Sequence, residues 1–289
     1  MLMSVPHKRP TLRVGLRQMV GLLLMATAST GLSQAELLAE SAENLAPSAL
    51  VDTGHPEIRQ LAAGFIESHP RDVRARAVAI HDFVRDTVRF GWHGDFYEQT
   101  ASEVLAGRVG FCNTKSTLFI ALLRASGIPA RQRFVDIDAA ILAPIIDTGT
   151  PYVDHSYTEV WLNGAWIGVD SYIVDPALFA VAQQRLRAES NTMGYGVHRD
   201  GRNEWDGRRP AFAQFVQADP EYTSSTSSAE TGAKPLSTRA YGIFADVRDF
   251  YARSTRSWNR AGWFVRTVFP VFAWRADRTL ESLRTGGSN

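Results

Sequence analysis

The chain contains one cysteine, Cys112, and its position predicts a reactive thiol. A single cysteine cannot close an intramolecular disulfide, so in an exported protein it is either a reactive thiol or an intermolecular link. Polar residues from Asn113 onwards, an apolar stretch, and then Gly127 and Pro129 predict a helix over residues 113–126. Cys112 therefore lies at the start of a helix, where free N–H groups and the helix dipole favour the thiolate.

A predicted hairpin brings an imidazole and a carboxylate together. The dipeptide Asn163-Gly164 joins two β-prone runs, which is the strongest short-range hairpin signal in a sequence. A two-residue turn at this dipeptide places Tyr157 opposite Asp170. His155 lies two residues beyond Tyr157 on the same face, so its Cβ is about 7–8 Å or less from that of Asp170. A hydrogen bond between the two side chains is within reach.

Cys112, His155 and Asp170 have the side-chain types that nucleophilic catalysis requires. The thiolate would attack a carbonyl, the imidazole would transfer the proton, and the carboxylate would orient the imidazole. N–H groups in the first turn of the helix could stabilise the oxyanion. Two simpler interpretations are a buried apolar cysteine and a structural His–Asp pair. Spacing alone leaves the contact between Cys112 and His155 open.

Three sequence blocks resemble the transglutaminase-like superfamily, in the order in which that family has them. They are Gly110-Phe111-Cys112 with the following run that ends Gly127-Ile128-Pro129-Ala130-Arg131, His155-Ser156-Tyr157-Thr158-Glu159-Val160-Trp161, and Trp166-Ile167-Gly168-Val169-Asp170. The resemblance covers roughly residues 85–175. It implies an α+β, papain-like fold, in which a Cys-bearing helix packs on an antiparallel sheet that carries the His and the Asp, with additional C-terminal helices here.

The resemblance also implies acyl transfer through a thioester: transglutamination, amide hydrolysis or deamidation. Tyr157 occupies a position where family members often have another aromatic residue, Trp. No run resembles a calcium-binding EF-hand loop, so the calcium dependence of the animal enzymes is not carried over. The second oxyanion donor, usually upstream of the cysteine, is expected within residues 92–99.

Hydrophobic periodicity predicts the elements that would position these residues. Helices are expected over residues 56–68, 71–90, 102–106, 113–126 and 176–190, a strand over 131–138, hairpin strands over 155–162 and 165–172, and loops over 139–154 and 191–215. Residues 239–284 are expected to be helical but broken at Pro270.

Four segments are predicted along the chain. Residues 1–35 have the basic, apolar and small-residue order of a signal peptide, with an uncleaved membrane anchor as the alternative. Residues 36–216 form the predicted catalytic domain, the Ser/Thr-rich residues 217–238 a linker, and residues 239–289 a C-terminal helical segment. The expected location is therefore secreted or periplasmic.

The composition and the charge of the chain indicate which classes of binding partner to expect. Hydrophobic residues make up 45% of the 289 residues and charged residues 21%, which is ordinary for a globular protein. The formal charge of +1 and the absence of a basic stripe exclude nucleic acid as the expected partner. Histidine spacing indicates no metal site, and no cofactor is expected. The aromatic and Arg-containing run 258–274 could contact a membrane surface, but packing against the catalytic domain is favoured.

The sequence therefore predicts an exported cysteine acyl-transfer enzyme that acts on a protein or peptide amide, as a transglutaminase, amidase or protease. The alternative is a non-catalytic binding or scaffold protein that keeps the same fold. The binding-protein hypothesis is weaker, because a protein without catalytic activity has no need for a cysteine, a histidine and an aspartate at matching positions.

Overall fold

A computed structural model describes residues 42–92, 98–215, 237–253 and 262–286. The predicted signal peptide and nearly all of the predicted linker lie outside the described residues. The described residues form one compact unit. No helix among the described residues combines the length and the apolar character needed to cross a membrane.

Helices and an antiparallel sheet alternate along the chain, as expected for the α+β class. The helices are α1 (Pro56–Ser68), α2 (Val73–Thr87), α3 (Ala101–Gly107), α4 (Cys112–Ala125), α5 (Pro176–Ala188), α6 (Val247–Arg253) and α7 (Gly262–Arg284), with a short 3-10 helix at Ala139–Leu142. The strands are β1 (Arg89–Phe90), β2 (Val109–Gly110), β3 (Ala130–Asp138), β4 (Tyr152–Leu162), β5 (Ala165–Val169), β6 (Met193–Gly194), β7 (Val197–His198) and β8 (Ser237–Phe244).

Side-chain caps fix the starts of several helices. Asp72 accepts a hydrogen bond from the Ala75 N–H at the start of α2, and Asp175 accepts one from Leu178 at the start of α5. Thr100 and Glu103 form a capping box at the start of α3. Each cap satisfies a backbone N–H that the helix itself leaves without a partner.

The main sheet has four antiparallel strands in the order β5-β4-β3-β8. Asn163 and Gly164 both have positive φ, 54° and 83°, as a tight hairpin turn requires. Leu162 pairs with Ala165 and Thr158 with Val169, which is the register deduced from the turn. β5 ends at Val169, so Asp170 is the first residue beyond the strand.

Two expectations about the C-terminal region are wrong. Residues 239–244, expected to be helical, belong to the strand β8, because the free edge of β3 offers backbone hydrogen bonds to a β-prone segment. α7 runs through Pro270 without ending. A proline inside a helix costs a backbone hydrogen bond, and α7 offsets this cost by burying Ala273, Ala276 and Leu280 in the core.

The core occupies both faces of the sheet. On one face, α4 is buried along nearly its whole length, with Leu118, Phe119 and Leu122 among the fully covered side chains. A smaller cluster around Tyr157 and Phe212 covers the opposite face of β4. The start of α4 is therefore held rigidly at one end of a close-packed interior.

Polar contacts tie α7 to the elements near the start of α4. Arg284 makes two hydrogen bonds to the carboxylate of Asp175 and a third, of 2.7 Å, to the Phe90 carbonyl. The backbone N–H of Trp92 donates to Asp277 at 2.9 Å. The Arg284–Asp175 pair is almost wholly buried, so breaking it would leave an uncompensated charge.

Candidate active site

Cys112 is the first residue of α4 and is partly buried. Just before it, the N–H of Phe111 donates to the hydroxyl of Thr114 at 3.0 Å, which fixes the entry of the chain into the helix. A Cβ at Gly110 would lie 2.7 Å from the Thr114 hydroxyl oxygen, so this close approach requires glycine. The sulfur lies 3.7 Å from Oδ1 of Asn113, which accepts the thiol proton.

Asp170 holds His155 by a direct hydrogen bond, with 3.0 Å between Nε2 and Oδ2. The two side chains are 1% and 0% exposed, so the contact is shielded from water. Asp170 is itself held by the segment 211–215. The N–H of Ala213 donates to its second carboxylate oxygen, and its own N–H donates to the Ala211 carbonyl at 3.0 Å.

The Cys112 side chain lies close enough to His155 to influence the pKa of the imidazole. Burial lowers the pKa of His155, but the hydrogen bond that the imidazole donates to Asp170 and the interaction with Cys112 outweigh burial and raise the pKa to about 9. Because Nε2 is bound to Asp170, Nδ1 is the ring nitrogen left for exchange of a proton with the sulfur. The structure therefore joins His155 and Asp170 by a hydrogen bond, and the role of Cys112 as their nucleophile stays a prediction.

The segment 211–215 was predicted as part of a loop, and its role was missed. Phe215 contacts the His155 ring edge-to-face, with 5.5 Å between ring centroids, and stacks on Phe212 at 4.2 Å. Phe212 in turn contacts Tyr157. The short and mostly apolar run Ala211-Phe212-Ala213-Gln214-Phe215 was the available signal for a buried segment.

A polar network beside the sulfur was also missed. The Tyr251 hydroxyl, from α6, donates to Asp154 at 2.6 Å and accepts a hydrogen bond of 3.3 Å from the side-chain amide of Asn113. Burial raises the pKa of Asp154, while its hydrogen bonds with Tyr251 and Asn113 act in the opposite direction. No sequence signal connects Tyr251 with Asn113, since 138 positions separate them.

Lys115 lies in the first turn of α4 and is fully buried. Its ammonium group donates to the Val88 carbonyl. Burial lowers the pKa of Lys115 to about 7, although the charge of Asp175 acts to raise it. The first turn of α4 therefore carries a buried amine in addition to the thiol.

Within the stretch expected to supply the second oxyanion donor, the structure describes both ends. Trp92 stacks against Phe111, with 6.5 Å between ring centroids, and Gln99 is buried. Residues 93–97 lie outside the described residues. The identity of the donor stays a prediction. Across the described ranges, no group of three or more His, Cys, Asp or Glu side chains could hold a metal ion.

Comparison with known proteins identifies the class to which this site belongs. Residues 59–171 match the model of the transglutaminase-like superfamily, and this range contains Cys112, His155 and Asp170. This match confirms the resemblance to that superfamily seen in the sequence.

A solved structure is also similar, a proposed cysteine protease from Cytophaga hutchinsonii. The match has 22% sequence identity and a TM-score of 0.38, and it covers 52% of this chain. This chain covers 46% of the length of that protein. No curated protein matches the chain.

Proposed function

We propose that this protein is an exported cysteine acyl-transfer enzyme that acts on protein or peptide amides through a thioester. One observation carries the proposal. The imidazole of His155 is hydrogen-bonded to the Asp170 carboxylate at 3.0 Å, and the nearby Cys112 side chain raises the pKa of the same imidazole. A sulfur, an imidazole and a carboxylate in that order are the parts of a nucleophile–base–orienter system.

The reaction follows from these roles. The Cys112 thiolate attacks the amide carbon, and the carbonyl electrons move to oxygen, near the backbone N–H groups that begin α4. The intermediate collapses with cleavage of the C–N bond, and the His155 imidazolium gives its proton to the departing amine. In the second half, His155 takes a proton from water or from an incoming amine as that nucleophile attacks the thioester carbon. Cleavage of the C–S bond then releases the acid or the new amide and restores the Cys112 thiolate beside the His155 imidazolium. Asp170 keeps the imidazole in one orientation throughout.

Export is proposed from the order of residues in 1–35, which lie outside the described residues. The single cysteine fits an oxidising location, because it has no intramolecular partner with which to form a disulfide.

The thiol itself provides a direct test. Because Cys112 is the only cysteine, alkylation by iodoacetamide reports on this residue alone, and Cys112→Ala gives the blank. We expect rapid labelling near pH 7, well below the reference thiol pKa of about 8.5, and labelling about tenfold slower in His155→Ala. His69→Ala is the control. It removes the histidine at the C-cap of α1, and its Cys112 should be alkylated at the same rate as in the unmodified chain.

Labelling that becomes appreciable only above the reference pKa would contradict the proposal and favour a non-catalytic protein. Once a reactive thiolate is established, a glutamine peptide supplied with and without a primary amine separates the two reaction types. An amine adduct indicates transfer, and free acid indicates hydrolysis.

A further inference from the structure

The two halves of α7 differ in composition. Residues 262–274 contain two tryptophans and three phenylalanines, with Arg266 as their one charged residue. Residues 275–284 carry three arginines and two acidic residues. Because one half of α7 is aromatic and nearly uncharged and the other is amphipathic, we expect the two halves to contact different surroundings.

In the second half, residues 275–284, apolar and charged side chains have their partners within the protein. Leu280 and Leu283 are buried in the main core, and Arg284 is paired with Asp175. Asp277 accepts the Trp92 N–H, and Glu281 pairs with Arg89 and Arg284. The acidic side chains of this half are therefore already engaged.

The described end of the aromatic half is exposed. Val271, Phe272 and Trp274 are 57%, 55% and 57% exposed, more than any other large hydrophobic side chain in the described part of the chain. They fall within four consecutive positions, on either side of the buried Ala273. A contiguous exposed apolar group of this kind marks an interaction surface more often than a scattered single residue does.

Positive charge flanks these apolar side chains. Arg275 and Arg278 are exposed, and the guanidinium of Arg278 lies over the Trp274 ring, 4.9 Å from its centroid. Exposed aromatic side chains beside arginines on one helix are the pattern of a helix that lies in a lipid headgroup region. A symmetric contact with a second copy would bring the arginines of both copies together, which like-charge repulsion disfavours.

We propose that the surface formed by Val271, Phe272, Trp274, Arg275 and Arg278 binds an anionic phospholipid bilayer, with α7 lying along the membrane rather than across it. The apolar side chains enter the interface, and the two arginines contact phosphate groups. This role is independent of the proposed acyl transfer and does not require Cys112.

The single cysteine allows a local test. In the full chain carrying Cys112→Ala, Val271→Cys provides one attachment site for an environment-sensitive fluorophore. We expect a blue shift of its emission with phosphatidylglycerol vesicles, little shift with phosphatidylcholine vesicles, and reversal at high salt. Val73→Cys in the same background is the matched control. Val73 is also an exposed valine, with 43% of its surface accessible, and it has Arg71 and Arg74 near it in sequence but no aromatic residue beside it.

Adding Arg275→Glu and Arg278→Glu to the Val271→Cys protein should weaken partitioning onto the anionic vesicles by about tenfold or more. The proposal is overturned if the Val271→Cys label does not respond to anionic vesicles, or responds equally to neutral ones. It is also overturned if the label shifts with protein concentration alone, since a second copy would then cover the surface. Because every variant lacks Cys112, none of these outcomes bears on the catalytic proposal.

Discussion

At His155, two opposing effects act on one proton. Burial disfavours the charged imidazolium, whereas the hydrogen bond accepted by Asp170 and the interaction with Cys112 favour it, and the pKa of His155 is about 9. A histidine whose pKa is raised on folding stabilises the fold fully below its unfolded pKa of about 6.5. That contribution is lost as the pH rises through about 9. At neutral pH the site therefore favours an imidazolium beside the sulfur.

Asp170→Asn should lower the pKa of His155, because it replaces the charged acceptor by a neutral one. We expect the midpoint of the His155 ring titration, followed by NMR and assigned by its loss in His155→Ala, to fall from near 9 by about one unit or more. Alkylation of Cys112 at pH 7 should slow in parallel. Asp200→Asn, which removes an exposed carboxylate, should change neither quantity. An unchanged midpoint in Asp170→Asn would mean that Asp170 does not set the charge of the imidazole.

At the scale of elements, the C-terminal segment forms part of the site. β8 extends the sheet beside β3, and the following α6 carries Tyr251 to Asn113 and Asp154. Asn113 is adjacent to the predicted nucleophile, and its Oδ1 accepts the hydrogen bond of the Cys112 thiol at 3.7 Å. Tyr251 therefore restrains the amide that faces the thiol.

Tyr251→Phe should reduce the reactivity of Cys112 by releasing the Asn113 amide. We expect alkylation at pH 7 to slow by about tenfold, since small displacements of reacting groups have large kinetic effects. Tyr241→Phe is a matched control. Tyr241 lies on the neighbouring strand β8, and its hydroxyl also donates to an aspartate, Asp136, at 3.0 Å. Both variants should lose about 1 kcal/mol of unfolding free energy in urea titrations. Equal alkylation rates in the two variants would show that Tyr251 is structural only.

At the scale of the whole molecule, Lys115 makes the stability depend on pH. Its ammonium group is enclosed by α4 and the end of α2, with the Val88 carbonyl as a hydrogen-bond acceptor. Burial lowers its pKa to about 7, below the ordinary value of 10.5. Between these two values the unfolded chain binds more protons than the folded one, so the Lys115 contribution to stability grows as the pH rises.

Replacing this lysine by methionine, Lys115→Met, should remove that dependence. We expect the unfolding free energy of the unmodified chain, relative to the variant, to become more favourable from pH 7 to pH 10 by an amount on the order of a few kcal/mol. Urea unfolding of both proteins at several pH values measures the difference, and other titrating groups cancel. Parallel curves would show that Lys115 keeps an ordinary pKa in the folded protein.

Local sequence determined the parts of this protein that depend on near neighbours. The predicted helix at residues 56–68 is confirmed to the residue, and the helix that starts at Cys112 lies within one residue of its predicted bounds. The two-residue Asn163-Gly164 turn fixed the register of the hairpin, because every later pair follows from the first. The closeness of His155 and Asp170 could be deduced for the same reason.

Only the tertiary structure decided which distant segments complete the site. The cover over His155 by Phe215, the approach of Tyr251 and the pairing of β8 with β3 depend on contacts between positions far apart in sequence. Such contacts arise from close packing and the satisfaction of buried polar groups, which leave little periodic trace in the chain. The influence of Cys112 on the pKa of His155 belongs to this second group, since it depends on the packing of α4 against the sheet.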